Sequence, residues 1–388
     1  MRLWKRAAGA LKDRNSIWIA SLSRRTSFRN PDLEAVIIKA TSHDESYVDY
    51  KNAQRVFQWV RTSPIYLKPL VWGLSMRMQK TRSWAVALKG LMLMHGIFHC
   101  KTPAVQMIGR LPFDLSNFID GHSHIGETWG YNVFIRAYYQ FLDQKSVFSA
   151  TEMKIQKGRG RSQAEETLAE DLTWLQKLQS LLDMLLQVKP QADNMIATLI
   201  IEAMECLIVE IFDVYSRICS GIAQALLRIY EDGGKAEASM ALKVLQKARV
   251  QGEELSVYFE FCRDIGVLNA SEFPKVEKIP EEDVRDLERI INGVSKRRSL
   301  ETNDLLPEDR AIVVRENGAI VQRRVLKTVI TETWEAFDVE ILKFNGGRNS
   351  YDVKKTSSAE DPSKTSSLNT LPLESASNRM IIPDLISL

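Results

Sequence analysis

Residues 84–100, WAVALKGLMLMHGIFHC, are apolar on almost every side and constrain the fold more than any other segment. Their uncharged part, residues 90–100, is too short for a membrane-spanning helix, which needs about 20 apolar residues. A helix that is hydrophobic all round lies in a protein interior. The sequence therefore predicts a central buried helix, with Thr81 and Ser83 as candidate N-terminal caps.

The other segments of the first 290 residues also show helical patterns. Residues 49–63 are amphipathic and end before Pro64, and residues 128–142 repeat that pattern. No cluster of alternating apolar and polar residues, typical of strands, occurs before residue 300. Consecutive helices on short loops predict an all-α fold, an irregular helical solenoid or bundle. Further helices are predicted at residues 165–188, 195–230, 236–250 and 253–265, with Gly221 as a candidate break or kink in the second.

The composition changes after residue 296, where Ser, Thr, Asn and charged residues dominate. Such a stretch has too little apolar surface to offset the entropy of ordering it. We therefore expect a largely disordered tail. The predicted organisation is a basic N-terminal segment (1–19), an N-terminal helical part (20–160), a C-terminal helical part (161–293) and the tail (294–388).

Basic residues are concentrated at the N-terminus. Residues 1–110 hold 19 Lys and Arg against 6 Asp and Glu, although the whole chain has a net charge of only +3. Between Asp49 and Asp114 there are ten basic residues and no acidic one. This asymmetry favours an anionic partner, either phospholipid headgroups or nucleic acid. A merely solvated basic face is the alternative, but such a face usually has acids among its bases.

Motifs for catalysis are missing from the sequence. It has no G-x-x-x-x-G-K-[ST] phosphate loop, no G-x-G-x-x-G fingerprint and no G-x-S-x-G elbow. His95 and His99 have a spacing that can bind a metal, but no carboxylate lies in the same helix. We expect core histidines, no metal, no cofactor and no enzyme activity. The four cysteines lack C-x-x-C spacing and are expected to be thiols of a reducing, cytosolic compartment.

Residues 37–44 (IIKATSHD), followed by Lys51, resemble the start of the ANTH domain. This domain is the phosphoinositide-binding module of the clathrin assembly protein family. Its pattern is Lys-Ala-Thr-x-His, with a second basic cluster ending in Lys-His about a dozen residues later. The resemblance spans roughly residues 20–293 and is also carried by Arg82-Ser83-Trp84, LSNF (115–118), IRAY (135–138) and LSVYFEFCRDIG (255–266).

The resemblance implies an ENTH/ANTH-like superhelix and a site for phosphatidylinositol 4,5-bisphosphate. Lys39 and Lys51 match the binding lysines of the family. Arg55 lies one helical turn beyond Lys51 on the same face and is expected to add to the site. His43 is expected either to brace the loop or to contact lipid.

Two ligand positions of the family differ in this sequence. Asp49 stands where the family has a lysine, and Asn52 where it has the histidine after Lys51. The preferred phosphoinositide is therefore left open.

The resemblance also implies partners and a location. The partners are phosphoinositide headgroups, the clathrin heavy chain, adaptor appendage domains and a vesicle SNARE helix. The location is cytoplasmic, peripheral on clathrin-coated pits and vesicles of the plasma membrane or Golgi. Three tail patterns resemble coat-protein ligands: Asp304-Leu305-Leu306, Trp334-x-x-Phe337, and the clathrin-box-like Leu385-Ile386-x-Leu388.

Two other classes of function use the same residues. A nucleic-acid-binding helical protein would use the basic N-terminal third, but that third lacks regular aromatic stacking positions and a recognition-helix motif. A pure scaffold would bind only proteins and no lipid. The hypothesis preferred from the sequence is a membrane-recruited clathrin adaptor that binds no nucleic acid.

Overall fold

The computed structural model describes residues 2–123, 125–159, 167–232, 234–267 and 281–292. Within these ranges the secondary structure consists of eleven α-helices and two short 3-10 turns, with no strand. The prediction of an all-α fold is confirmed. The tail at 294–388 and its three predicted motifs, Asp304–Leu306, Trp334–Phe337 and Leu385–Leu388, lie outside the described residues.

The helices follow one another on short connections, and most pack against neighbours in the chain, as in an irregular solenoid. They are α1 (Arg2–Ser21), α2 (Pro31–Ala40), α3 (Tyr50–Thr62), α4 (Leu67–Lys80), α5 (Trp84–Phe98), α6 (Pro103–Gln106), α7 (Ile125–Arg159), α8 (Leu168–Leu186), α9 (Thr198–Asp232), α10 (Lys235–Asp264) and α11 (Glu281–Ile291). The predicted basic segment 1–19 is therefore a helix.

Helix α5 is buried along nearly its whole length, as the sequence predicts. It contacts α2, α3, α4, α6, α7 and α9, and so joins the N-terminal helices to those that follow. Ser83 precedes its first turn, but the Ser83 side chain makes no capping bond. Instead Asp120 Oδ1 accepts a hydrogen bond from the Trp84 backbone N–H at 2.9 Å. The cap is thus supplied from a distant loop, which a local pattern does not indicate.

Two predicted helix boundaries are wrong. The candidate break at Gly221 is absent, because α9 runs from Thr198 to Asp232. A Cβ at Gly221 would collide with the Leu175 side chain of α8, so this glycine permits close packing of α8 and α9. Residues 236–250 and 253–265 form the single helix α10, with Gly252 buried inside it. Close contact with α8 there includes the Gln251 side chain, which donates to the Gln179 carbonyl at 2.7 Å.

Helix α7 is also longer than predicted, covering Ile125–Arg159 rather than residues 128–142. Helix α8 begins with a capping box, in which the Thr167 and Glu170 side chains each accept from the other residue's backbone N–H. Among the described helices, none is both long and apolar enough to cross a membrane.

Candidate functional site

The two predicted binding lysines lie on either side of the loop that joins α2 to α3. Lys39 is in the last turn of α2, Lys51 is in the first turn of α3, and Arg55 follows one turn later. All three side chains are exposed. In the described part of the chain, no carboxylate forms an ion pair with any of them. Their charges are therefore available to an anion from solution.

A buried lysine of α5 anchors this loop. Lys89 of α5 is only 1 % exposed. Its ammonium donates to the Ser42 carbonyl at 3.3 Å, the Ser42 hydroxyl at 3.1 Å and the Asp44 carbonyl at 2.6 Å. Burial lowers the pKa of Lys89 to about 8, although the nearby Asp44 and Asp13 carboxylates favour its charged form. The loop backbone thus solvates a cation that would otherwise be unpaired.

A carboxylate of α1 holds the same loop from the other side. Asp13 accepts hydrogen bonds from the His43 backbone N–H at 2.8 Å and from Arg77 of α4 at 2.7 Å, and its Oδ1 lies 2.7 Å from His43 Nδ1. Arg77 also donates to the Thr41 carbonyl at 2.7 Å. Burial would raise the pKa of Asp13, but the bonds from His43 and Arg77 outweigh it and lower that pKa. Gly9 lets α1 approach, because a Cβ there would lie 2.7 Å from His43 Cβ.

His43 is therefore placed as a brace between the loop and α1. Its contact with a lipid headgroup stays a prediction, as does the headgroup role of Lys39, Lys51 and Arg55. Sequence reasoning missed Asp13 and Lys89 as loop anchors. Lys89 carried a usable signal, because it is the only Lys or Arg within the apolar run 84–100.

The two positions that depart from the family pattern bind each other. Asp49 is the N-cap of α3, and its Oδ1 accepts from the Asn52 backbone N–H at 3.0 Å. The Asn52 side-chain amide donates to Asp49 Oδ2 at 2.6 Å. At the two positions where the resemblance implies phosphate ligands, this chain therefore has a helix cap.

Helix α1 has an exposed apolar face on the side away from the domain. Trp4, Leu11 and Trp18 of α1 are 83 %, 68 % and 61 % exposed, and their spacing of seven residues places them on one helix face. Leu22, the residue after α1, is 64 % exposed and continues this face, because its backbone N–H donates to the Trp18 carbonyl at 3.2 Å. The buried positions of α1 (Gly9, Asp13 and Ala20) lie on the opposite face, and the exposed basic residues Lys12 and Arg14 flank the apolar one. We call Trp4, Leu11, Trp18 and Leu22 the α1 stripe.

A second polar cluster lies in the core between α5, α7 and α9. Glu210 accepts from Lys145, its Oε2 lies 3.2 Å from His95 Nε2, and His95 Nδ1 lies 2.8 Å from the Tyr138 hydroxyl. Burial would raise the pKa of Glu210, but the Lys145 ammonium and His95 hold it well below the usual range. Burial lowers the pKa of His95.

His95, His99 and Glu210 place potential metal-ligating atoms within 4.8 Å of one another. Glu210 is the carboxylate that the sequence pattern lacked, 115 residues beyond His95. In this arrangement the Lys145 ammonium already neutralises the Glu210 carboxylate. The charged groups of this cluster therefore pair with one another and connect helices α5, α7 and α9.

Comparison with known proteins agrees with this architecture. The ANTH domain family profile matches residues 32–293. The chain is similar to "Putative clathrin assembly protein At1g25240" of Arabidopsis thaliana, with 52% identity over 338 residues covering 87% of this chain and 88% of the relative. It is also similar to "Putative clathrin assembly protein At1g68110" of the same plant, with 49% identity over 350 residues covering 89% and 90%. The chain therefore belongs to the ANTH domain family.

Proposed function

We propose that this protein is a membrane-recruited adaptor that binds phosphoinositide and promotes clathrin coat assembly in endocytosis. The observation that carries the proposal is the pair of exposed lysines, Lys39 and Lys51, at the two ends of a loop anchored by Lys89 and Asp13. Membership of the ANTH domain family and two extensive similarities to proteins named as clathrin assembly proteins support it.

The recognition chemistry would be electrostatic. Ring phosphates of an inositol lipid accept charge-assisted hydrogen bonds from lysine and arginine side chains. One basic residue near an anionic leaflet contributes only about 1 kcal/mol, so Lys39, Lys51 and Arg55 must act together. Asp49 and Asn52 add no positive charge, so we expect a weaker headgroup site than the full family pattern would form.

The α1 stripe would supply the second membrane contact. An amphipathic helix with tryptophans on one face and basic residues beside them lies well at the boundary between headgroups and acyl chains. Lys12 and Arg14 flank the stripe and would meet anionic lipids. Two weak contacts carried by the same chain then produce useful affinity, because the second contact forms at high effective concentration.

The tail would recruit coat proteins. The Trp334/Phe337 pair would bind adaptor appendage domains, and Leu385-Ile386-x-Leu388 would bind the clathrin heavy chain, with Asp304-Leu305-Leu306 as the alternative clathrin contact. Each pattern places apolar anchors in a polar segment, which suits binding as a short extended peptide. A vesicle SNARE helix is the cargo that the resemblance implies.

Vesicle flotation tests the membrane part of this proposal. The full chain is mixed with neutral vesicles, with vesicles containing phosphatidylserine, and with vesicles containing phosphatidylinositol 4,5-bisphosphate at equal total charge. Binding that is strongest to the phosphoinositide vesicles supports the proposal. Equal binding to both kinds of anionic vesicle would show that the chain recognises only negative surface charge and not the phosphoinositide headgroup. If the chain binds no vesicle but retards a duplex RNA or DNA in a gel-shift assay at matched salt, the adaptor proposal is wrong and the protein binds nucleic acid.

Pull-down tests the coat-protein part. The full chain is compared with the variants Leu385→Ala/Leu388→Ala, Trp334→Ala/Phe337→Ala and Leu305→Ala/Leu306→Ala for capture of the clathrin terminal domain and of appendage domains. The first variant should lose clathrin and keep the appendages, and the second should do the reverse. If the first variant keeps clathrin and the third loses it, clathrin is bound through Asp304-Leu305-Leu306 instead. Retention of both partners by all three variants would refute the tail assignment.

A further inference from the structure

The connection between α1 and α2 presents a serine in an unusually basic and exposed context. Residues 22–28 read LSRRTSF, between the end of α1 at Ser21 and the start of α2 at Pro31. In this stretch every residue except Ser23 is exposed. Arg24 and Arg25 precede Ser27 by three and two positions, and the 56 %-exposed Phe28 follows it.

The local backbone places Ser27 at the tip of a tight turn. The backbone groups of Thr26 and Arg29 exchange two hydrogen bonds, at 3.0 and 3.3 Å. The Thr26 hydroxyl is also used, because it accepts from the backbone N–H groups of Phe28 and Arg29 at 3.3 and 3.1 Å. The Ser27 hydroxyl, by contrast, makes no hydrogen bond within the described residues, and Ser27 is exposed.

This arrangement matches what basic-directed protein kinases recognise. Such kinases bind their substrates by charge complementarity, using acidic side chains to hold arginines that precede the acceptor hydroxyl. Arg25 forms an ion pair with Asp32, but the two side chains are 68 % and 66 % exposed, so this pair is weakly held and is easily exchanged. An irregular turn, unlike a helix, can also be drawn into a kinase groove at little cost.

We propose that Ser27 is a phosphorylation site for an arginine-directed serine/threonine kinase. In the transfer, the Ser27 Oγ attacks the γ-phosphorus of ATP, and the bond from that phosphorus to the β–γ bridging oxygen breaks. ADP is the leaving group, and the hydroxyl proton passes to the catalytic aspartate of the kinase. The product is a phosphoserine that carries nearly two negative charges at neutral pH.

The phosphate would change the membrane-facing surface. It would lie beside Arg24 and Arg25 and near Lys68, whose ammonium is 5.9 Å from the Phe28 ring centroid. It would also follow the last residue of the α1 stripe, Leu22, by five positions. Neutralising these bases and repelling an anionic leaflet should release the protein from the membrane, an electrostatic switch. This consequence, unlike the site itself, rests on the proposed function.

The site is tested by labelling alone. The full chain is incubated with ATP and the catalytic subunit of cAMP-dependent protein kinase as the arginine-directed probe, and phosphopeptides are mapped by mass spectrometry. The peptide containing Ser27 should be phosphorylated in the wild type and in Ser23→Ala, and phosphorylation there should fall about tenfold or more in Arg24→Ala/Arg25→Ala. Ser27→Ala replaces an exposed turn residue and should fold normally. If other serines are labelled while the Ser27 peptide stays unmodified, the site is wrong.

The switch is tested by flotation of the kinase-treated proteins. Phosphorylated wild type should bind phosphoinositide vesicles about fivefold or more weakly than untreated protein. Kinase-treated Ser27→Ala should bind as before, which controls for phosphate at other positions, and Ser180→Glu on α8 controls for added charge elsewhere. Unchanged binding with full Ser27 occupancy would overturn the switch. If untreated protein binds no vesicle, the membrane function and the switch fail together, whereas the labelling result still decides the site.

Discussion

The ammonium of Lys89 donates a hydrogen bond to the main-chain carbonyl of Asp44, 2.6 Å away, and so ties the α2–α3 loop to the buried helix α5. On its other side the loop is held by Asp13 of α1 through the His43 backbone N–H. The positions of Lys39 and Lys51 are therefore set by residues that lie outside the loop. A buried ammonium must have polar partners, and the loop carbonyls supply them. Lys89 therefore fixes the position of the loop.

Charge reversal at Lys39 and Lys51 together should weaken binding to phosphoinositide vesicles by about tenfold or more, because two neighbouring contacts are replaced by repulsion. The matched control is reversal of Lys154 and Lys157, which are exposed on α7 and change the net charge equally. Quantitative flotation at fixed salt measures both. Equal losses from the two variants would mean that only the total charge matters.

Restoring the family residues with Asp49→Lys and Asn52→His should tighten phosphoinositide binding. The same change removes the N-cap of α3, so the free energy of unfolding should fall by about 1 kcal/mol. Vesicle affinity and chemical denaturation measured on one preparation separate the two effects. No gain in affinity would show that the pocket uses other positions.

Lys89→Met should change how stability depends on pH. In the folded chain the pKa of Lys89 is about 8, against an ordinary 10.5, because burial disfavours its charge. Between these pH values the unfolded chain keeps a proton that the folded chain has released, so Lys89 makes stability rise with pH across this window.

The Lys89→Met variant should lack this rise of stability with pH. Urea denaturation of both proteins at several pH values from 7.5 to 10.5 measures the difference. Parallel plots of unfolding free energy against pH for the two proteins would show that the pKa of Lys89 is not lowered in the folded chain. The variant should also bind phosphoinositide vesicles more weakly, because the loop loses its three bonds to the ammonium.

Glu210→Gln should destabilise the fold by about 3 kcal/mol, because it leaves the Lys145 ammonium without its buried counter-charge. Glu152→Gln is the control, since the Glu152–Arg217 pair is partly exposed and should contribute under about 1 kcal/mol. Because the pKa of Glu210 is lowered in the folded state, its contribution is present above the ordinary value of 4.5 and is lost as pH falls. Equal unfolding free energies for the two variants at pH 7 would contradict this assignment.

Replacing Trp4 and Trp18 with serine should weaken vesicle binding severalfold and leave the unfolding free energy within about 0.5 kcal/mol, because both side chains face solvent. The control is Trp84→Ser, whose side chain is 3 % exposed and stacks on Tyr131, and which should destabilise the fold. A loss of stability in the Trp4/Trp18 variant would indicate that the α1 stripe packs on protein.

Much of the secondary structure could be predicted from local pattern. The all-α class, the buried helix α5 and the ends of α3 and α8 to within a few residues follow from periodicity and composition. These features depend on the spacing of apolar residues over short stretches, which can be read directly from the sequence. The position of Lys39 before the loop and Lys51 after it also followed from the motif, because it spans only a dozen residues.

Only the tertiary structure decided the contacts between residues far apart in sequence. The Asp120 cap on Trp84, the Asp13–His43–Arg77 bracing and the Lys145–Glu210–His95 cluster each join residues from separate helices or loops. The continuity of α10 through Gly252 was decided in the same way, because packing against α8 outweighs the weak helix propensity of one glycine. A sequence states which residue types are present, whereas pairing energy depends on distance and burial, which arise only when the helices are packed together.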